Sequence, residues 1–169
     1  MKKIVTHSGN FHTDEVFSCA TLALLHDGAV EVVRSRDPEV WATGDFVVDV
    51  GGVYDADAGR FDHHQIGGAG VRENNIPYSS FGLVWKHYGE KITGSVYAAK
   101  MIDGLIAQPV DAGDNGVETF AAHGEVVPYF LHDVVSAFRP AWNEARTEEE
   151  GFFEAFEVAK KILAREIIH

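Results

Sequence analysis

Lys3-Ile4-Val5-Thr6-His7-Ser8-Gly9-Asn10-Phe11-His12-Thr13-Asp14-Glu15 decides the class of this chain. Lys3 to Thr6 reads as a short buried strand. Ser8, Gly9 and Asn10 break it into a loop. Thr13 or Asp14 can cap the free amides of a helix start, and Asp14 and Glu15 complement the positive end of its dipole. Val16, Phe17, Cys19, Ala20, Ala23 and Leu24 then recur at helical spacing. Strand, polar loop and helix in that order predict an α/β fold. Such folds gather ligands beyond the carboxyl ends of parallel strands, beside helix N-termini. His7, His12 and Asp14 all fall there.

Working outward, Ala29 to Val33 reads as a second strand and Asp45 to Val50 as a third. Arg36 to Trp41 between them reads as a short helix, capped by Asp37 with Pro38 in its first turn. Asp49 stands at the end of the third strand, before Gly51 and Gly52. Val53 to Asp57 and Arg60 to His63 read as a hairpin around Asp57-Ala58-Gly59. The remainder reads as helical: Tyr78 to Tyr88 with Gly89 as its stop, Thr93 to about Ala107, Pro128 to Phe138, and Thr147 to Ile168. Pro109 is expected to end or kink the second of these, leaving Val110-Asp111-Ala112-Gly113-Asp114-Asn115-Gly116 as a loop. Phe152, Phe153, Phe156, Ala159, Ile162 and Leu163 form a broad apolar stripe on the last helix. Ala141 to Glu150 reads as a linker. The expectation is one α/β domain over residues 1–169, with a largely parallel sheet flanked by helices.

Composition narrows the function classes. Hydrophobic residues make up 46% of the chain and charged residues 24%, an ordinary globular balance. No apolar run approaches the length of a membrane span. The N-terminal apolar segment is too short for a signal peptide, so a retained first strand is expected. The single Cys19 excludes an internal disulfide, fits a reducing compartment and so a cytoplasmic location, and reads as an inert core thiol. Fourteen basic against 26 acidic residues leave a formal charge of −12. That disfavours coating of long nucleic acid through phosphate contacts. A small phosphorylated substrate or a short oligonucleotide end stays open.

Phe61-Asp62-His63-His64-Gln65 carries the chemistry. Neighbours on a strand face opposite ways, so both histidines can serve one site only if the strand ends there. Three glycines in Gln65-Ile66-Gly67-Gly68-Ala69-Gly70 predict that it does. The candidate set is His7, His12, Asp14, Asp49, Asp62, His63, His64, Asp111 and Asp114. Imidazole and carboxylate without thiolate suit Mn, Fe, Co or Zn in a hydrolytic site better than a structural zinc. The inventory suffices for two ions sharing a carboxylate, an arrangement that serves phosphate-ester cleavage. Taken singly, Asp14 reads as a helix cap, Asp49 as a strand-end residue, and Asp111 and Asp114 as loop or capping residues. His26, His87, His123, His132 and His169 show no partnered spacing and read as surface or core histidines.

Asp62-His63-His64 resembles the signature of the DHH phosphoesterase superfamily. Five motifs together resemble the melanocyte-proliferating-gene family, long labelled metal-dependent protein hydrolases. They are His7-Ser8-Gly9-Asn10-Phe11-His12-Thr13-Asp14-Glu15, Val48-Asp49-Val50-Gly51-Gly52, Arg60-Phe61-Asp62-His63-His64-Gln65, Ser80-Phe81-Gly82-Leu83-Val84-Trp85 and Val110-Asp111-Ala112-Gly113-Asp114-Asn115-Gly116. Pro140-Ala141-Trp142-Asn143 also fits. The resemblance implies a fold like the N-terminal domain of that superfamily and a metal-dependent hydrolase of phosphate esters, such as a 3′-5′ exonuclease or nucleotide phosphodiesterase. It implies two divalent ions, with manganese foremost and iron, cobalt or zinc as alternatives. His7, His12 and Asp49 resemble the ligands of one ion. Asp14, Asp49, His63 and either Asp111 or Asp114 resemble those of the other. His64 would contact the scissile phosphate or act as general acid, with Asp62 orienting a histidine.

Two departures stand out. The superfamily usually places an Asp four residues after the first His and another two later, whereas His12 comes five after His7 and Asp14 two after that. This implies a different metal preference. The superfamily's usual second, substrate-clamping domain has no counterpart in these residues, so a clamp is expected to be missing or supplied by another subunit. The rival reading is a non-catalytic metal- or nucleotide-binding subunit completed by a partner chain. Phe152, Phe153 and Phe156 on the final helix are the feature that would allow a homo-oligomer.

Overall fold

The computed structural model describes residues 1–168; His169, read above as a surface or core histidine, lies outside them. Five strands form one sheet in the order β2-β1-β3-β5-β4. They are β1 (Lys2–Thr6), β2 (Val30–Arg34), β3 (Phe46–Val48), β4 (Tyr54–Asp55) and β5 (Arg60–Phe61). β1 pairs in parallel with β2 and β3, setting Ile4 opposite both Val32 and Phe46. β5 joins β3 in parallel, and only the edge strand β4 runs antiparallel. The expected mostly parallel sheet flanked by helices is therefore present.

α1 (Thr13–Leu25) is buried continuously from Thr13 to Ala23. It packs against α3 (Ser80–Thr93) and the terminal helix α7 (Glu148–Ile168). A helix covered on all sides needs apolar or small residues all round, and Val16, Phe17, Cys19, Ala20 and Leu22 supply them. Cys19 is a buried free thiol, as expected. Phe152 and Phe156 of α7 are also buried within this chain's own core. No described helix is long and apolar enough to cross a membrane.

The remaining helices are α2 (Pro38–Trp41), α4 (Val96–Ile102), α5 (Gln108–Asp114) and α6 (Leu131–Ser136). Three boundaries differ from expectation. His12, not Thr13 or Asp14, occupies the N-cap of α1. Gly89 does not stop α3; it lies inside the helix under the Trp85 indole, and Gly94 ends it at a φ of 67°. Pro109 does not end a helix but sits in the first turn of α5. A π-helical turn over Asp103–Ala107 precedes it, with the Gln108 amide donating back to Asp103 O. That widened turn shifts the hydrogen-bond ladder, and a first-turn proline leaves no donor missing. Asp111 and Asp114 consequently lie one turn apart on a helix, not in a loop.

Candidate metal centre

β1, β3 and β5 are neighbours and run the same way, so their carboxyl ends lie side by side. Each strand is followed at once by a site residue: His7 after Thr6, Asp49 after Val48, and Asp62 after Phe61. Asp49 turns off the sheet at a φ of 55°. This left-handed region is uncommon for residues other than glycine, and aspartate tolerates it better than most.

Asp62 ends the strand in a different way. One carboxylate oxygen accepts from His63 N at 2.7 Å and His64 N at 3.1 Å, and the other from Gly52 N at 2.5 Å. The chain is thereby folded into a tight turn. The two imidazoles reach the same side, with ring centroids 4.3 Å apart. His64 Nδ1 lies 2.8 Å from Asp62 Oδ1, and its side chain is 62% exposed. The Asp62 carboxylate beside it raises the His64 pKa.

Donor atoms cluster on both sides of Asp49. On one side stand His7, His12 and Glu15. His7 Nε2 is 3.0 Å from Glu15 Oε1 and 3.2 Å from Asp49 Oδ2. On the other side, His63 Nε2 is 3.3 Å from Asp49 Oδ1, 3.3 Å from Asp114 Oδ2 and 3.8 Å from Asp14 Oδ2. Asp49 thus turns one oxygen to each group.

Burial and crowding set the charges. Burial raises the Asp14 carboxyl well above its usual range, and the negative Asp49 and Asp114 add to this. Asp49 goes the other way: burial would raise it, but the His63 and His7 imidazoles close beside its carboxylate outweigh that and hold it at about 2. Burial would likewise lower His7, yet Asp49 and Glu15 push it up to about 10.

These residues fit divalent cations. Asp14 Oδ1, Asp49 Oδ1 and His63 Nε2 are buried without a hydrogen bond among the described residues. An orphaned buried polar atom is costly and calls for a partner. Donor separations of 3.0–3.8 Å match ions whose bonds to nitrogen and oxygen run about 2.0–2.2 Å. Nitrogen and oxygen donors without thiolate suit manganese, iron, cobalt and zinc alike.

Asp111 is not brought to these groups. It is fully buried and accepts from Ser79 Oγ at 2.5 Å, Gly82 N at 3.0 Å and Arg72 Nη1. Arg72 also pairs with Asp103 at 2.9 Å and stacks on Tyr78. Gly82 has no alternative, since a Cβ there would overlap the Asp111 carboxylate. This hub pins the start of α3, where Ser80 Oγ donates to Asp14 Oδ2 at 2.8 Å. Asp111 therefore braces the site from behind, and Asp114 is the member that faces it.

The sequence pattern gives Glu15 only the role of a dipole partner. It is fully buried, and both its oxygens lie 2.8 Å from His12 N. The available signal was the capping-box spacing of Glu15 three residues after His12. Three arginines hold the loop between His7 and His12 by its carbonyls: Arg36 at Ser8 O (2.9 Å), Arg34 at Gly9 O (2.6 Å) and Arg139 at Phe11 O (2.8 Å). Above the donors opens a cleft of about 570 Å³, to which α6 and the turn after it contribute His132 and Arg139. His132, expected to lack a partner, thus borders the site.

A protein-family model for MYG1 exonucleases, described as "Uncharacterised protein family (UPF0160)", matches residues 3–169. The chain belongs to this family. It is 35% identical to MYG1 exonuclease of Bos taurus over 94% of this chain and 48% of that protein. Against MYG1 exonuclease of Homo sapiens the figures are 35%, 94% and 48%. Against a MYG1 protein of Schizosaccharomyces pombe they are 34%, 95% and 55%. The chain spans about half the length of these curated relatives. No solved structure matches it.

Proposed function

We propose that this chain is a metal-dependent phosphoesterase of the DHH type that cleaves phosphate esters of nucleotides or oligonucleotide ends at a two-ion site. The observation that carries this reading is Asp49, which presents one carboxylate oxygen to each of two donor groups. The family supports the same direction, since the bovine and human relatives are named exonucleases.

His7, His12 and Asp49 would hold one ion, with Glu15 closing the group. Asp14, Asp49, His63 and Asp114 would hold the other. Bound ions would supply an activated water and stabilise the charge that develops on phosphorus. Asp62 holds the His64 ring through Nδ1, leaving Nε2 to contact the phosphate or protonate the leaving oxygen. Ser80 orients Asp14, and Glu15 holds His12 by its backbone amide. Manganese is the first ion to try.

The test is metal content together with manganese-dependent hydrolysis, on native protein and Asp49→Asn. The panel holds a generic phosphodiester, short RNA and DNA strands, a dinucleotide and pyrophosphate. Two ions per chain, and turnover lost in a folded Asp49→Asn, is the expected result. Metal without turnover would favour the rival reading, a binding subunit completed by a partner chain. No metal at all would remove the phosphoesterase reading.

A further inference from the structure

The cleft has a second kind of lining besides the ion donors. Arg139 is the only lysine or arginine along it among the described residues. Its Nε and Nη2 both donate to Phe11 O, one residue before His12, while Nη1 has no hydrogen-bond partner among the described residues. The guanidinium is therefore anchored at one end and open at the other. His132 is also fixed. Its ring stacks on Phe130 at 5.5 Å and 22°. It also packs so closely on Gly113, the neighbour of Asp114, that a Cβ there would overlap it. Neither side chain belongs to the donor groups.

Electrostatics gives Arg139 a task, and His132 borders it. The chain carries a formal charge of −12, so a polyanionic ligand is repelled overall and needs a local cation. A lone phosphate ester could be neutralised by bound ions. A chain end with a second phosphate needs a further contact, and a pre-anchored guanidinium is well suited to it. The cleft's 570 Å³ falls in the ordinary range of about 300–1,000 Å³ for small-ligand sites, which suits a short chain end.

We propose that Arg139 and His132 form a phosphate subsite that takes the phosphate next to the one held at the ion donors. The ligand class is the end of a short single-stranded oligonucleotide. This rests on the phosphoesterase reading.

The experiment measures binding of a short fluorescent oligonucleotide by anisotropy, with calcium in place of manganese to hold turnover down. Salt is varied from about 50 to 200 mM. Arg139→Gln keeps a donor for Phe11 O but loses the charge. It should weaken binding about tenfold and flatten the slope of log affinity against log salt by about 0.7, the value of one single-strand phosphate contact. His132→Asn should weaken binding several-fold. In manganese, Arg139→Gln should harm oligonucleotide cleavage about tenfold more than cleavage of a one-phosphate diester. An unchanged salt slope, or equal harm to both substrates, would overturn the subsite and leave Arg139 as a brace for the Phe11 carbonyl. A native protein that cleaves the one-phosphate diester but does not bind the oligonucleotide would refute the subsite alone. Metal-loaded protein that cleaves neither would refute the phosphoesterase reading and the subsite with it.

Discussion

Asp111→Asn and Asp114→Asn remove the same charge from the same helix, three residues apart, and should do opposite things. Asp111 is fully buried, and its carboxylate accepts from Arg72, Ser79 and Gly82. An asparagine keeps one accepting oxygen and turns an NH2 group toward the Arg72 donor. The Arg72 side chain is 7% exposed, and Asp103, at 2.9 Å, becomes its remaining carboxylate partner. Breaking a buried pair from one side costs about 3–5 kcal/mol, and Asp103 holds this case near the lower end. For a chain of this size that lowers the unfolding midpoint by about 6–12 °C, with metal binding retained. Asp114 stands among the crowded carboxylates instead, 3.3 Å from His63. Burial raises its carboxyl, and the negative Asp49 adds to this. Its loss should leave the midpoint in chelator unchanged or higher. The stabilisation by manganese, about 2.7 kcal/mol at a hundred times the dissociation constant, should shrink. Thermal unfolding with and without chelator, together with metal content, reads both effects. If Asp111→Asn instead lost metal at an unchanged midpoint, the assignment of the two aspartates would be reversed.

His64→Asn should bind metal like the native protein and lose turnover by about 10²–10⁴, the usual worth of a general acid; loss of metal instead would exchange the roles of His63 and His64. Asp62→Asn should lower stability by about 1–3 kcal/mol, because the Gly52 amide would face another donor. It should also reduce activity about 10–100-fold through the loosened His64, as read by kcat and denaturant midpoints on one preparation. Gly82→Ala should destabilise strongly, since its Cβ would overlap the Asp111 carboxylate and lie 2.8 Å from Arg72 Nη2. An unfolding midpoint within about a degree of native would contradict that packing, since overpacking costs about 1–3 kcal/mol.

The strand-loop-helix opening and the residues at strand ends were legible because both signals are local. A strand that breaks at Ser8-Gly9-Asn10 before a capped helix places His7, His12 and Asp14, and one that stops before Gly51 and Gly52 places Asp49, without reference to distant parts of the chain. What escaped depends on long-range or non-periodic features. Arg72 meets Asp111 39 positions away, with α3 and α4 lying between them in the chain. His132 and Arg139 reach the cleft through a short helix with no strong pattern. Asp111 and Asp114 could not be separated because a proline in a helical run reads as a terminator. The π-helical turn that converts Pro109 into a first-turn residue leaves no compositional mark. Gly89 misled for a related reason: a glycine required by the Trp85 indole inside α3 looks the same as one required by a helix end.

The strand order explains why Asp49 occupies the shared position. β3 lies between β1 and β5. A residue at its carboxyl end therefore has the His7 loop on one side and the Asp62-His63-His64 turn on the other. Only the middle strand can offer a carboxylate to both, and its left-handed exit at Asp49 carries the side chain off the sheet direction. The Asp-His-His triplet could not make two groups alone, because its members do three different things. Asp62 folds the turn, His63 faces the carboxylates and His64 stands half in solvent. The triplet is weak evidence by itself for that reason. It gains its meaning from the two neighbouring parallel strands that end beside it, β1 carrying His7 and β3 carrying Asp49.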